Sequence, residues 1–109
     1  MHIINIELDK KEGTGTIKFN GKIYNCGGRV RFNYPKDSII DGYKEECHYS
    51  REYNVPMYYS VLWDGNKGVY IHEWGQLEGS AGCIHLLAPH AKEFYDSING
   101  KARVLFKWI

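Results

Sequence analysis

The sequence predicts a small, mainly β domain of the α+β kind: a sandwich or barrel of about six to eight short strands with one principal helix over residues 89–98. Three observations predict it. Short apolar segments recur between Gly, Asn and Asp turns, the pattern of half-buried strands. Asn20-Gly21 is the dipeptide of a type I′ hairpin turn. Ala91, Phe94, Tyr95 and Ile98 alone carry the i, i+3, i+4, i+7 spacing of a buried helical stripe.

The elements follow in order. Ile4, Asn5, Ile6, Glu7 and Leu8 alternate in polarity, so residues 3–8 form a strand. Gly13-Thr14-Gly15 turns the chain into a strand over 16–19, and Asn20-Gly21 returns it along 22–26. Residues 30–32 extend that sheet past Gly27-Gly28. From 34 to 54 the chain is polar, holds Pro35 and Gly42 and has no clear period. It reads as a long loop with a helical turn near 43–47, and so long a loop in a small domain is functional or mobile. Pro56 opens a strand over 57–63, Asp64-Gly65-Asn66 turns it, and the strand 68–72 brings His72 to the end of the sheet. Pro89 suits the first helical position, Asn99-Gly100 ends the helix, and 102–108 is the last strand. With no repeat and no low-complexity segment, residues 1–109 read as one domain.

Composition narrows the function. The chain is 43% hydrophobic and 15% aromatic, enough to build one core. Its net charge of +1 provides no basic field, which argues against nucleic acid as a partner. No apolar run approaches the roughly 20 residues of a membrane span. The first residues, Met1-His2-Ile3-Ile4-Asn5-Ile6-Glu7, show no basic segment before an apolar one, so no signal peptide is expected. Of three cysteines, Cys26 and Cys47 either pair in an oxidising compartment or stay reduced, and Cys83 stands apart.

Chemistry concentrates at Ser80-Ala81-Gly82-Cys83-Ile84-His85-Leu86, with His72 eleven positions before Cys83. A thiol on a glycine turn, with an imidazole on a nearby strand, has the makings of a cysteine nucleophile and its general base. The imidazole accepts the thiol proton or stabilises the thiolate as imidazolium. The small residues around Gly82 form a turn able to aim backbone N–H groups at one point, as an oxyanion hole requires. Two plainer readings stand beside this one. A lone cysteine is usually a buried apolar residue, and His72, Cys83, His85 and His90 offer four zinc donors, although without a paired-ligand spacing. A peptidase cutting ordinary L-peptides would share the nucleophile.

Residues 57–105 resemble the catalytic half of an L,D-transpeptidase of the YkuD type. The resemblance rests on Pro56-Met57-Tyr58-Tyr59, Val69-Tyr70-Ile71-His72, the Ser-x-Gly-Cys run, the helix over 91–98 and Asn99-Gly100 before the last strand. It implies a YkuD-like fold with Cys83 as the acylated nucleophile and His72 as the base. Glu73, or its neighbour, would orient the imidazole through a main-chain carbonyl. The N–H groups of Gly82 and Cys83 would line the oxyanion hole, and Ser80 would support the turn. The family usually has His where this chain has Ala81 and Arg where it has His85, for which a protonated His85 is the substitute. No cofactor and no metal are implied.

The implied reaction is acyl transfer on a peptidoglycan tetrapeptide stem. Cys83 would take the acyl group of the diaminopimelate–D-alanine bond and pass it to water, to a D-amino acid or to another stem. Little lid material is expected, which favours carboxypeptidase and exchange chemistry over cross-linking. The short His72-to-Cys83 interval is similar to that of L,D-transpeptidase-like effectors of type VI secretion. That likeness implies an antibacterial toxin made in the cytoplasm and delivered to a target cell's periplasm, with an immunity protein and a secretion carrier as partners. The alternatives are an inactive peptidoglycan-binding module and a housekeeping cross-linking enzyme. Trp74, Tyr58 and Tyr59 are further substrate-binding candidates. Tyr43, Tyr49, Arg51 and Tyr53 are candidate wall residues, Glu78 a candidate for the diaminopimelate amine, and His48 and His90 surface histidines.

Overall fold

In the computed structural model, which describes residues 1–109, the two ends of the chain are joined through main-chain hydrogen bonds. Strand β1 (His2–Leu8) runs parallel to β9 (Ala102–Trp108), pairing from His2 with Ala102 to Leu8 with Trp108. The remaining elements are β2 (Thr14–Phe19), β3 (Lys22–Gly27), β4 (Asp37–Ile40), β5 (Lys44–Ser50), β6 (Val55–Asp64), β7 (Val69–Glu73), β8 (Ile84–Leu86) and the helix α1 (His90–Ser97). All nine strands belong to one sheet in the order β4-β9-β1-β2-β3-β8-β7-β6-β5. The sheet curls on itself: Trp63 Nε1 on β6 donates to Ser38 Oγ on β4 at 3.2 Å, although those strands lie near opposite ends of the order. The result is a mainly β half-barrel with one helix, with a strand more than the sequence predicted.

Alternation explains the core. Ile4, Ile6 and Leu8 of β1, Ile17 of β2, Ile71 of β7, Ile84 of β8 and Val104 of β9 are fully buried on the inner face. Helix α1 closes one side by setting Phe94 edge-on to Phe19 and Tyr24, with ring centroids 6.0 and 6.1 Å apart. Truncating Phe94 to Ala would cost roughly 3–5 kcal/mol. The helix's last carbonyls are held by Lys44 of β5, whose Nζ donates to Tyr95 O at 2.8 Å and Ile98 O at 2.9 Å.

Two expectations need correction, and the alternative left open for Cys26 and Cys47 is decided. Residues 30–32 form no strand: Arg31 turns the chain at φ 67°, and Phe32 packs on Tyr34 with ring centroids 4.7 Å apart. Residues 34–54 are no loop, for they supply β4 and β5, and residues 44–50 are extended throughout. Strand β5 is an edge strand without a fully buried residue, so it carries no apolar period to read. Cys26 and Cys47 form no disulfide: both are free, on strands β3 and β5, which β8, β7 and β6 separate in the sheet. The Asn20-Gly21 turn has both residues left-handed, at φ 51° and 73°. No helix is long and apolar enough to cross a membrane.

Candidate active site

The site is built by the parallel pairing of β7 with β8. Ile71 pairs with Ile84, and both are fully buried on the inner face. Side chains alternate along a strand, so His72, His85 and Cys83 fall on the opposite face. All three line a cleft of about 240 Å³, together with Phe32, Met57 and Trp74.

His72 is almost wholly buried and is held by one hydrogen bond, in which Nδ1–H donates to the Glu73 carbonyl at 2.8 Å. That bond selects the tautomer with its lone pair on Nε2, and Nε2 has no partner in the protein. Burial foremost, and the neighbouring His85 and His48, push the imidazole down to about 4 against the pull of the Glu73 carbonyl. At neutral pH His72 is an uncharged base.

Cys83 sits at the end of a turn cross-braced by Ser80. Ser80 Oγ accepts from Gly82 N–H at 3.0 Å and donates to the Cys83 carbonyl. Gly82 has φ 152°, and a Cβ there would lie 2.8 Å from Phe32 Cε2, so only glycine suits the position. The Gly82 N–H is therefore engaged, whereas the Cys83 N–H makes no hydrogen bond within the protein. The thiol turns toward β7, with Sγ accepting from Tyr70 N–H at 3.4 Å and lying 3.8 Å from the Gly68 carbonyl. Burial pushes the Cys83 thiol up and the Glu52 charge adds to this, while the Tyr70 N–H opposes it. Of the two expected roles, these shifts favour an imidazole that accepts the thiol proton over a resting thiolate–imidazolium pair. Both groups are neutral, and Sγ is hydrogen-bonded to β7 rather than to His72.

The other candidates divide. His85 is buried, donates from Nδ1 to the Gln76 carbonyl at 3.1 Å and stacks on Trp74 with ring centroids 5.5 Å apart. Burial also lowers its basicity, which disfavours the protonated form expected to stand in for an arginine. Trp74 stands edge-on to His72 at 5.9 Å and forms part of the cleft wall. Ala81 lines the cleft, and its carbonyl accepts from Arg29 Nη1 at 3.4 Å. Tyr59 leaves the site: at φ 53° its ring turns to α1, 5.5 Å from Tyr95. Tyr58 is exposed beside Glu73 and Trp74 in a neighbouring shallow recess. The four zinc donors are not brought together, because His90 packs beside Tyr24 at the start of α1, 5.6 Å from its ring.

Sequence reasoning missed Phe32, Val55, Met57, Glu52 and Lys67, all of which line the cleft. The alternation of Val55 with Met57 was the available signal, since both point one way from a strand that begins before Pro56. The tip of the β5–β6 hairpin brings Glu52 and Tyr53 against the cleft, so the segment expected to be a loop supplies part of the wall. Tyr49 is occupied elsewhere, hydrogen-bonded to Asn54.

Comparison with known proteins bears on the fold and the family. The L,D-transpeptidase catalytic domain family, YkuD, matches residues 8–105. No curated protein matches the sequence. Among solved structures, an L,D-transpeptidase from Stackebrandtia nassauensis superposes with a TM-score of 0.73 at 21% identity, over 97% of this chain and 55% of that one. An L,D-transpeptidase from Mycobacterium tuberculosis H37Rv gives 0.73 at 19% identity, over 97% and 57%. L,D-transpeptidase 3 from Mycobacterium tuberculosis, solved with a faropenem-derived adduct, gives 0.70 at 17% identity, over 97% and 60%. This chain thus spans little more than half the length of these structures, and at such identities the likeness establishes the fold. The family match extends over nearly the whole chain, which therefore belongs to the YkuD family of L,D-transpeptidase catalytic domains.

Proposed function

We propose that this domain modifies peptidoglycan by acyl transfer through Cys83, with His72 as general base. The supporting observation is that β7 and β8 present His72 and Cys83 on one face of the sheet, in one cleft, beside an unpaired Cys83 N–H. With substrate bound, the Cys83 side chain rotates off the Tyr70 N–H and its proton passes to His72 Nε2. Sulfur attacks the carbonyl carbon of the diaminopimelate–D-alanine bond, and the carbonyl electrons move onto an oxygen that the Cys83 N–H receives. Collapse breaks the C–N bond, the imidazolium returns its proton to the departing amine, and D-alanine leaves a thioester on Cys83.

The cleft supports an order of acceptors. At about 240 Å³ it is smaller than the ~300–1,000 Å³ usual for ligand pockets. Such a cleft suits the scissile residue and a small acceptor, water or a free D-amino acid, better than a second stem. Carboxypeptidase and exchange activity therefore rank above cross-linking. The short His72-to-Cys83 interval supports the further reading of an antibacterial effector acting in a target periplasm, with a cognate immunity protein and a secretion carrier.

The test is incubation with purified tetrapeptide muropeptide, with and without a D-amino acid, followed by mass spectrometry. Tripeptide and exchanged tetrapeptide are expected, and Cys83→Ala should abolish both. A cross-linked dimer as main product would overturn the acceptor order, and no product would overturn the enzyme reading. Because a relative carries a faropenem-derived adduct, faropenem is a second probe: a single mass increment that disappears in Cys83→Ala is expected.

A further inference from the structure

Tyr34 carries a hydroxyl that the packing of its ring does not require. Its ring is 3% exposed, stacks on Trp63 with centroids 5.1 Å apart and planes 5° from parallel, and meets Phe106 at 5.1 Å. Phenylalanine would fill that space equally well. The buried oxygen nevertheless has two partners: it accepts from Arg29 N–H at 2.8 Å and donates to the Gly82 carbonyl at 2.6 Å.

We infer that Tyr34 is a positioning residue which aims the Cys83 N–H into the cleft by holding the Gly82 carbonyl in the core. The inference rests on the acyl-transfer reading for its catalytic meaning. The link is the planarity of one peptide. The Gly82–Cys83 bond is trans, so its C=O and N–H point in opposite directions. With the carbonyl drawn inward to Tyr34, the Cys83 N–H must face outward, where it makes no hydrogen bond within the protein.

Glycine makes this restraint necessary. A residue without Cβ at φ 152° resists peptide rotation weakly. A rotated peptide would present the Gly82 oxygen to the cleft, and its lone pairs would repel the developing oxyanion instead of stabilising it. Ser80 does not prevent this alone, because its hydroxyl binds the Gly82 N–H and the Cys83 carbonyl and leaves the intervening peptide free. Phe32 lies over Gly82 and against the Tyr34 ring, 4.7 Å between centroids, so packing and hydrogen bond act on the same unit.

Tyr34→Phe tests this with three readouts on the whole domain. Alkylation of Cys83 by iodoacetamide forms no oxyanion and should stay within about twofold of wild type. Acylation by faropenem needs the oxyanion donor and should slow about tenfold or more at saturating probe, with the half-saturating concentration little changed. A crystal structure of the variant should show the Gly82 carbonyl turned out of the core. Unchanged acylation, or equal losses in alkylation and acylation, would overturn the inference, as would a Gly82 carbonyl left in place. Wild type that alkylates normally but is never acylated would instead sink the acyl-transfer reading. The carbonyl orientation in Tyr34→Phe would still decide the positioning claim.

Discussion

His72 Nδ1–H donates to the carbonyl oxygen of Glu73, its own chain neighbour, at 2.8 Å. A ring held by the residue next to it keeps its orientation as long as β7 stays intact, with no acidic side chain involved. The same bond leaves Nε2 as the basic nitrogen, and burial keeps the ring uncharged down to about pH 4.

The first prediction concerns catalysis against pH. With the folded His72 at about 4, the acid limb of kcat/KM on a tetrapeptide substrate should fall near pH 4 rather than near 6.5. His72→Ala should lower kcat about 10²- to 10⁴-fold across the range. A limb near 6.5 in wild type would show that the ring is solvated and charged more readily than its burial implies.

The second concerns the resting thiol. Burial and the Glu52 charge hold the Cys83 proton on sulfur, so the iodoacetamide rate should rise only at or above the pH range of an ordinary cysteine. Glu52→Gln removes the negative charge and should shift that profile to lower pH. His72→Ala should barely move it, since His72 and Cys83 share no resting hydrogen bond. Rapid alkylation at pH 6 would instead reveal a preformed ion pair.

Acid stability gives the third. His72 titrates near 6.5 when unfolded and at about 4 when folded. Between those values the unfolded chain binds the extra proton, so folding stability is complete above 6.5 and drains away as pH falls toward 4. The loss from this group is up to about 3 kcal/mol. Urea unfolding at pH 7 and pH 4.5 should show it, and His72→Gln should flatten the slope.

The fourth concerns the turn. Ser80→Ala removes both hydrogen bonds that brace the Gly82–Cys83 segment, at a cost of about 1–3 kcal/mol. A fall in Tm of roughly 5–10 °C is expected by calorimetry, with a larger proportional loss in faropenem acylation than in Tm-matched core variants. An unaltered Tm would mean that the turn is held by packing alone.

Legibility in the sequence followed burial. The Asn20-Gly21 hairpin, the last strand and the Phe94 stripe were readable because each buries one face or needs one backbone conformation. Strands β4 and β5 were not, since β4 is only four residues long with Ile40 its one buried residue, and β5 has no buried residue at all. The pair His72 and Cys83 could be picked out by residue type, but their shared face depends on the register of β7 with β8, which joins segments separated by a turn. Burial, invisible in a linear sequence, lowers the basicity of His85 and pushes the Cys83 thiol up. Tyr34 went unnoticed because its partner, the Gly82 carbonyl, is 48 residues away.

The alignment of β1 with β9 governs how this domain comes into being. Within this domain the first strand has one flank completed only by the last, and β4 also waits for β9. A nascent chain therefore emerges from the ribosome with β1 half-paired and β4 unpaired until residues 102–108 arrive. Such non-local closure slows folding, and until then the exposed strand edges are open to pairing with other chains.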